Sequence, residues 1–244
     1  EVYDLLPTED ILKEAKYNDD QGVLRYSIVT SGKRLTDEEV DQVCESIRKI
    51  KEETNIEVCF SFGLLKEEQL RKVREAGATR AHCNLETSRR YFPEICTTHT
   101  YDQKIETLKA AVAAGLSICS GGIMGLGETL EDRVDMVLTV KELGVKSVPV
   151  NFLNPIPGTP YEDSKPLTDE EARQCVAVFR FIIPDASIRL AGGRGLLDDK
   201  GKECFQSGAN AAISGDMLTT AGITVQKDME MLKELGYKPQ LWED

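Results

Sequence analysis

Thiols are the most prominent chemical groups of this 244-residue chain, which contains seven cysteines and only two histidines. The cysteines are irregularly spaced, at positions 44, 59, 83, 96, 119, 175 and 204. The number is odd and the first residues do not resemble a secretory signal. These features predict reduced thiols or metal ligands rather than a disulfide framework.

The charge balance limits the classes of partner. Lys and Arg number 30 against 42 Asp and Glu, which gives a net charge of -12. An acidic surface argues against nucleic acid and anionic membranes as partners. No apolar run approaches the ~18 residues that a membrane-spanning helix needs.

Helical and strand patterns alternate along the whole chain, as in a parallel sheet built from βα units. Strands are predicted over 23–29, 58–62, 80–86, 116–123, 147–153, 188–191 and 211–214. Helices are predicted over 8–17, 36–50, 67–76, 101–114, 129–143, 168–183, 201–207 and 225–235. Seven strands after a leading helix predict a (βα)8 TIM-type α/β barrel whose first strand is missing from this chain, as one domain over 1–244. A doubly wound open sheet is the alternative.

In such a barrel the active-site groups come from the C-terminal ends of the strands. Alternation along each strand puts several polar side chains on the inner face: Ser27, Cys59, Asn84, Glu86, Cys119, Asn151 and Arg189. Cys83 points to the other face if Asn84 points inward. The pattern favours a polar ligand or a metal centre inside the barrel. The alternatives are that the cysteines are small packing residues, that Arg189 makes a structural ion pair, and that Asn84 and Glu86 stabilise strand ends.

Two turns carry further candidates. Gly121, Gly122, Gly125 and Gly127 lie at a strand-to-helix turn, where missing side chains let backbone approach a ligand and a phosphate loop is possible. The Walker pattern is absent, so this indication is weak. Thr219 and Thr220 follow the last strand, and their hydroxyls either bind a carboxylate or cap the final helix; the residues alone favour the cap.

Ordered motifs over about residues 6–239 resemble the biotin synthase family of radical S-adenosylmethionine (SAM) enzymes. The motifs are Asn84-Leu85-Glu86-Thr87-Ser88, Thr97-Thr98-His99-Thr100-Tyr101, residues 119–128, Ser147-Val148-Pro149-Val150-Asn151, Gly158-Thr159-Pro160, Ile188-Arg189-Leu190, Gly208-Ala209-Asn210 and Leu218-Thr219-Thr220. The resemblance implies sulfur insertion into dethiobiotin to form biotin. It also implies a 4Fe-4S cluster that reduces SAM and an auxiliary iron–sulfur cluster in the barrel that supplies the sulfur.

The same resemblance implies roles for individual residues. Cys59, Cys119 and Arg189 match ligands of the auxiliary cluster, and Ser27 stands where the family often has a further cysteine. The residues that match SAM contacts are Asn84, Glu86, Lys104, Ile123 and Asn151, of which Asn84 and Asn151 also match substrate contacts. Thr219 and Thr220 match the group that holds the dethiobiotin carboxylate, which replaces the capping interpretation.

One family motif is absent. The chain contains no C-x-x-x-C-x-x-C for the SAM cluster, and we expect it upstream of Glu1, so that this chain alone is inactive. A hydroxyl at Ser27 is a poorer iron ligand than a thiolate, so the auxiliary cluster is expected to differ in ligation. The expected partners are dethiobiotin, SAM and an electron donor such as flavodoxin or ferredoxin, in a cytoplasmic homodimer.

Three other functions stay open at this point. A sister radical SAM enzyme, of the hydrogenase-maturation or methylornithine-forming type, would share the barrel and the Gly121-x-Ile123-x-Gly125-x-x-Glu128 pattern. A non-catalytic SAM- or metal-binding barrel fragment would explain the missing cluster motif. An aldolase-like barrel would bind phosphate at the glycine turns, although no lysine stands convincingly on an inward strand face.

Overall fold

Helices and strands alternate along the chain in the computed structural model, which describes residues 4–215 and 222–241. The α-helices are α1 (Thr8–Asp20), α2 (Asp37–Glu53), α3 (Glu67–Glu75), α4 (Phe92–Ile95), α5 (Tyr101–Ala113), α6 (Leu130–Glu142), α7 (Asp169–Ile182), α8 (Lys202–Gln206) and α9 (Val225–Glu234). The strands are β1 (Arg25–Val29), β2 (Glu57–Ser61), β3 (Arg80–His82), β4 (Ser117–Cys119), β5 (Gly122–Met124), β6 (Ser147–Phe152), β7 (Ser187–Leu190) and β8 (Ala211–Ala212). The predicted α/β class and the parallel pairing of the strands are confirmed.

The helix starts follow from capping side chains that the sequence already displays. Thr36, Thr129 and Thr168 each accept a hydrogen bond from the backbone amide three residues on. The acidic side chain at that third position bonds back to the threonine amide, which completes a capping box. These boxes set the starts of α2, α6 and α7.

The described residues fall into two compact units. Unit 1 contains residues 4–83, 102–118 and 239–241, and unit 2 contains 84–101, 119–215 and 222–238. In unit 1, β1, β2 and β3 pair in parallel in that order. Its buried apolar side chains include Ile47 and Ile50 of α2 and the stacked rings of Phe60 and Phe62, whose centroids are 4.8 Å apart.

In unit 2, β6 is the strand with the most partners. It pairs in parallel with Cys119 at the end of β4, with β5 and with β7, and β7 pairs with β8. Val148 and Val150 of β6 and Phe179 of α7 are fully buried. The core of this unit therefore lies between the sheet and α7.

Two predicted strands differ from the structure. The strand expected over 80–86 ends at His82. Glu86 beyond it has a left-handed φ of 70° and pairs with Gly122 as a single parallel bridge. The strand expected over 116–123 is divided into β4 and β5, with the gap opposite Pro149 of β6. Proline has no N–H to donate to a neighbouring strand, which accounts for the interruption.

In the part of the chain that the structure describes, no helix is both long enough and apolar enough to cross a membrane.

Candidate functional site

A serine links two of the predicted site residues in unit 2. The Ser147 hydroxyl accepts a hydrogen bond from Nη2 of Arg189 at 2.7 Å and donates one to Sγ of Cys119 at 3.4 Å. Cys119 and Ser147 are register partners on β4 and β6, and neither side chain is exposed. The arrangement holds a guanidinium close to a buried thiol through one shared hydroxyl.

Ser147 was not among the predicted site residues. A signal was available, because alternation along β6 places Ser147 on the same face as Asn151. The sequence did not show that residues of three strands, β4, β6 and β7, meet at this hydroxyl. The register between neighbouring strands determines that contact, and register cannot be deduced from the sequence of one strand alone.

The other two predicted cluster residues lie together in unit 1. Ser27 of β1 and Cys59 of β2 are register partners on neighbouring parallel strands. Cys59 is 2% exposed and its Sγ lies 3.5 Å from the carbonyl oxygen of Tyr26, whereas Ser27 is exposed. This half of the set therefore contains one buried thiol beside one solvent-facing hydroxyl.

Asn84 and Glu86 lie beyond the end of β3 rather than on a regular strand, which corrects the alternation argument for them. Glu86 pairs with Gly122 of β5 as a single parallel bridge. The Glu86 amide donates to the carbonyl of Gly121 at 3.0 Å, and the Ile123 amide donates to the carbonyl of Glu86 at 2.9 Å. The main chain around Glu86 is thereby fixed against the start of β5. Oδ1 of the half-buried Asn84 has no hydrogen-bond partner among the described residues. A buried acceptor without a partner is costly, so it is a position that a polar ligand can fill.

The glycines of the turn serve close packing within the protein. A Cβ at Gly121 would lie 2.0 Å from the carbonyl oxygen of Pro149, and one at Gly122 would lie 2.4 Å from that of Glu86. The idea that these two glycines make room for a ligand is therefore replaced by a need for close backbone contact. Gly125 has a φ of 102°, and its amide donates to Oε1 of Glu128 at 2.8 Å, which fixes the turn before α6.

Asn151 has both ends of its amide engaged with the backbone. Its Nδ2 donates to the Gly122 carbonyl at 3.1 Å, and its Oδ1 accepts from the Gly192 amide at 2.9 Å.

Lys104 lies half-buried on α5 in unit 1, and the Cys83 thiol lies 3.9 Å from the Lys104 carbonyl oxygen. Ile123 is half-buried in β5 opposite Asn151. Thr219 and Thr220 lie outside the described residues.

The remaining cysteines differ in their surroundings. Burial raises the pKa of the Cys204 thiol to about 12, and it also raises the pKa of Cys44 and, against the opposing effect of Arg133, that of Cys175. Such thiols are poor nucleophiles at neutral pH. Cys96 is half-buried, with its Sγ 3.4 Å from Nδ1 of His99.

No group of three or more His, Cys, Asp and Glu side chains within residues 4–215 and 222–241 has the geometry of a metal site. Any metal centre in this chain would therefore draw on other residue types or on fewer ligands from the described part.

Comparisons with known proteins identify the fold of the chain. Residues 1–140 match the model of the Radical SAM superfamily, and residues 149–238 match the Biotin and Thiamin Synthesis associated domain. The crystal structure of methylornithine synthase superposes with a TM-score of 0.83 at 20% identity, covering 98% of this chain and 75% of that one. The hydrogenase maturase HydG of Carboxydothermus hydrogenoformans gives 0.83 at 18% identity, covering 100% of this chain and 62% of that one. The fold is therefore the TIM-type α/β fold of radical SAM enzymes, as predicted.

Relatives of higher identity define the family. Biotin synthase of Akkermansia muciniphila is 58% identical over 241 residues, which are 99% of this chain and 75% of the relative. Biotin synthase of Brachyspira hyodysenteriae is 57% identical over 242 residues, 99% of this chain and 73% of the relative. The chain belongs to the biotin synthase family.

Proposed function

We propose that this chain acts in the insertion of sulfur into dethiobiotin, which yields biotin. The observation that carries the proposal is the 58% identity to a protein named biotin synthase, extending over 99% of the chain. The hydroxyl-linked pair of Cys119 and Arg189 supports it, because a buried thiol beside a fixed cation suits an iron–sulfur centre better than an apolar core.

We assign the auxiliary iron–sulfur cluster to Cys59 and Cys119, with Arg189 beside it and Ser27 as a weak or absent ligand. When bound, SAM and the iron–sulfur centres supply hydrogen abstraction from dethiobiotin and the sulfur atom. The residues of this chain hold and orient the groups. Ser147 fixes the Arg189 guanidinium and bonds to the Cys119 sulfur, so it sets the side-chain positions of both.

SAM binding is assigned to Asn84, Glu86, Lys104, Ile123 and Asn151. Asn84 offers a buried amide oxygen that lacks a partner among the described residues. Asn151 already bonds to two backbone groups, but an amide nitrogen has a second hydrogen and an amide oxygen a second lone pair. Asn151 can therefore orient a ligand while it links β5 to the turn after β7.

The dethiobiotin carboxylate is assigned to Thr219 and Thr220, with Asn84 and Asn151 as further substrate contacts. Hydrogen bonds to a charged group contribute about 1.5–3 kcal/mol each. We therefore expect the double variant Thr219→Ala, Thr220→Ala to weaken dethiobiotin binding at least tenfold. SAM affinity should stay unchanged, and an unchanged dethiobiotin affinity would instead return these residues to a helix-capping role.

The ligands of the SAM-reducing 4Fe-4S cluster are not among these 244 residues, because they contain no C-x-x-x-C-x-x-C. We assign no step of the reaction to that cluster from this chain. From the family resemblance alone we also propose an electron donor of the flavodoxin or ferredoxin class, a homodimer and a cytoplasmic location.

The test is turnover by the full-length protein under anaerobic reduction with SAM and dethiobiotin. We expect biotin from the wild type, none from Cys119→Ala, and normal amounts from Cys204→Ala, a matched buried cysteine on α8. Production of methionine and 5′-deoxyadenosine without biotin, in a fully reconstituted wild-type sample, would contradict the proposal.

A further inference from the structure

Asp132 makes two sets of hydrogen bonds that belong to different parts of unit 2. It is the third residue of α6, is 1% exposed, and accepts from the amide and the hydroxyl of Thr129 at 2.9 Å each. Its Oδ1 also accepts from the Ser88 hydroxyl at 2.5 Å and from Nε of Arg90 at 3.1 Å, and Nη2 of Arg90 contacts Oδ2. One carboxylate therefore joins the start of α6 to residues 88–90.

The other capping boxes show that the helix cap does not require this second set. Glu39 caps α2 and Glu171 caps α7, and each bonds to its own threonine at the helix start. Both of those acids are glutamates, whereas α6 uses the shorter aspartate in a buried position. The Asp132 carboxylate thus does more than cap a helix, because it also fixes a neighbouring segment.

That segment, residues 84–90, carries Asn84 and Glu86. Its main chain bonds to Gly121 and Ile123 through Glu86, which adopts a left-handed φ of 70°. A residue other than glycine is strained in this region, so surrounding contacts must hold it in place. Two sets of contacts hold it, one on each side of Thr87. The Glu86 main chain bonds to β5 and the residue before it, and the side chains of Ser88 and Arg90 bond to Asp132.

We propose that Asp132 is a positioning residue for the SAM site, holding the segment 84–90 in the conformation that presents Asn84 and Glu86. The inference rests on the proposed function, because that assigns SAM to those two residues. In this role Asp132 needs no contact with SAM or dethiobiotin. Its effect on binding passes through Ser88 and Arg90.

The test measures SAM affinity of the full-length reconstituted protein by equilibrium dialysis, with Ser88→Ala as the main variant. Ser88→Ala removes the contact to the segment and leaves the Thr129–Asp132 cap intact. We expect Ser88→Ala and Asp132→Asn to weaken SAM binding by about tenfold, since each loses a charge-assisted hydrogen bond. In turnover, the KM for SAM should rise more than kcat falls.

Thr168→Ala is the matched control, because it breaks the capping box of α7 in the same unit and should leave SAM affinity unchanged. Amide hydrogen exchange gives a second measurement that needs no SAM. Exchange within residues 84–90 should be faster in Ser88→Ala than in the wild type, and unchanged in Thr168→Ala.

Unchanged exchange and unchanged SAM affinity in Ser88→Ala would overturn the positioning role, even if the wild type makes biotin. A wild type that fails to convert dethiobiotin would overturn the proposed function. Faster exchange and weaker SAM binding in Ser88→Ala would still support the positioning role in that case. If Asp132→Asn fails to fold, Ser88→Ala alone decides the result.

Discussion

Substitution of Asp228 by Asn should destabilise the protein more than any exposed charge substitution of the same kind. Asp228 of α9 is 3% exposed and forms an ion pair with Arg194, which is 1% exposed. Arg194 also reaches the carbonyl oxygens of Lys200 and Ile213 at 3.4 and 3.3 Å, and its Nε has no partner among the described residues. The Asp228 carboxylate additionally accepts from the Ser214 hydroxyl.

The size of the effect follows from what the variant leaves behind. Asparagine preserves the shape of the side chain but removes its charge, so the buried Arg194 guanidinium loses its counter-ion. Breaking a buried pair in this way costs about 3–5 kcal/mol. For a chain of this size, 1 kcal/mol shifts Tm by about 2–4 °C, so the expected decrease is about 6–20 °C.

The assay is thermal and urea unfolding of the purified chain, followed by circular dichroism. The matched control is Asp185→Asn, which breaks the solvent-exposed pair between Asp185 and Lys146. Exposed pairs contribute little because water screens them, so this variant should leave Tm nearly unchanged. Equally small decreases in Tm for the two variants would refute the argument that the buried Arg194–Asp228 pair contributes strongly to stability.

Two further predictions use pKa values. Although burial of Asp132 opposes ionisation, hydrogen bonds from Ser88, Thr129 and Arg90 hold its pKa below the usual value. Its ionised form therefore stabilises the fold above about pH 4, and this stabilisation is lost as the pH falls further. The free energy of unfolding should thus fall more steeply with decreasing pH in the wild type than in Asp132→Asn. Parallel curves of unfolding free energy against pH for the two proteins would contradict this. In the metal-free chain, iodoacetamide at pH 8 should label the half-buried Cys83 and Cys96 before Cys204, because burial raises the pKa of the Cys204 thiol to about 12. Mass spectrometry measures the order of labelling, and labelling of Cys204 first would show the prediction to be wrong.

The starts of helices and the sheet class were predictable because local rules determine them. Thr36, Thr129 and Thr168 are each followed three residues later by an acidic residue, which is a local pattern typical of a capping box. All three capping boxes are present in the structure. The face assignment of Asn84 and Glu86 was not predictable, because it assumed a regular strand beyond His82, where β3 ends. A left-handed residue at Glu86 depends on contacts with β5 that are distant in sequence.

Side-chain contacts between different strands also could not be predicted from the sequence. Ser147 joins Arg189 to Cys119 only because of the register between β4, β6 and β7. Asp132 follows Thr129 by three residues, which is a local capping pattern, but its bonds to Ser88 and Arg90 depend on tertiary packing. The single-domain prediction and the assignments of site residues stay predictions.

We propose that sulfur reaches dethiobiotin from a cluster held by Cys59 and Cys119. The most direct measurement reconstitutes the full-length protein with ³⁴S-sulfide, removes unbound sulfide and analyses the biotin formed in the first turnover by mass spectrometry. We expect ³⁴S in that biotin for the wild type, and no labelled biotin for Cys59→Ala or Cys119→Ala. Biotin that contains only unlabelled sulfur, or labelled biotin from either variant at the wild-type level, would contradict it.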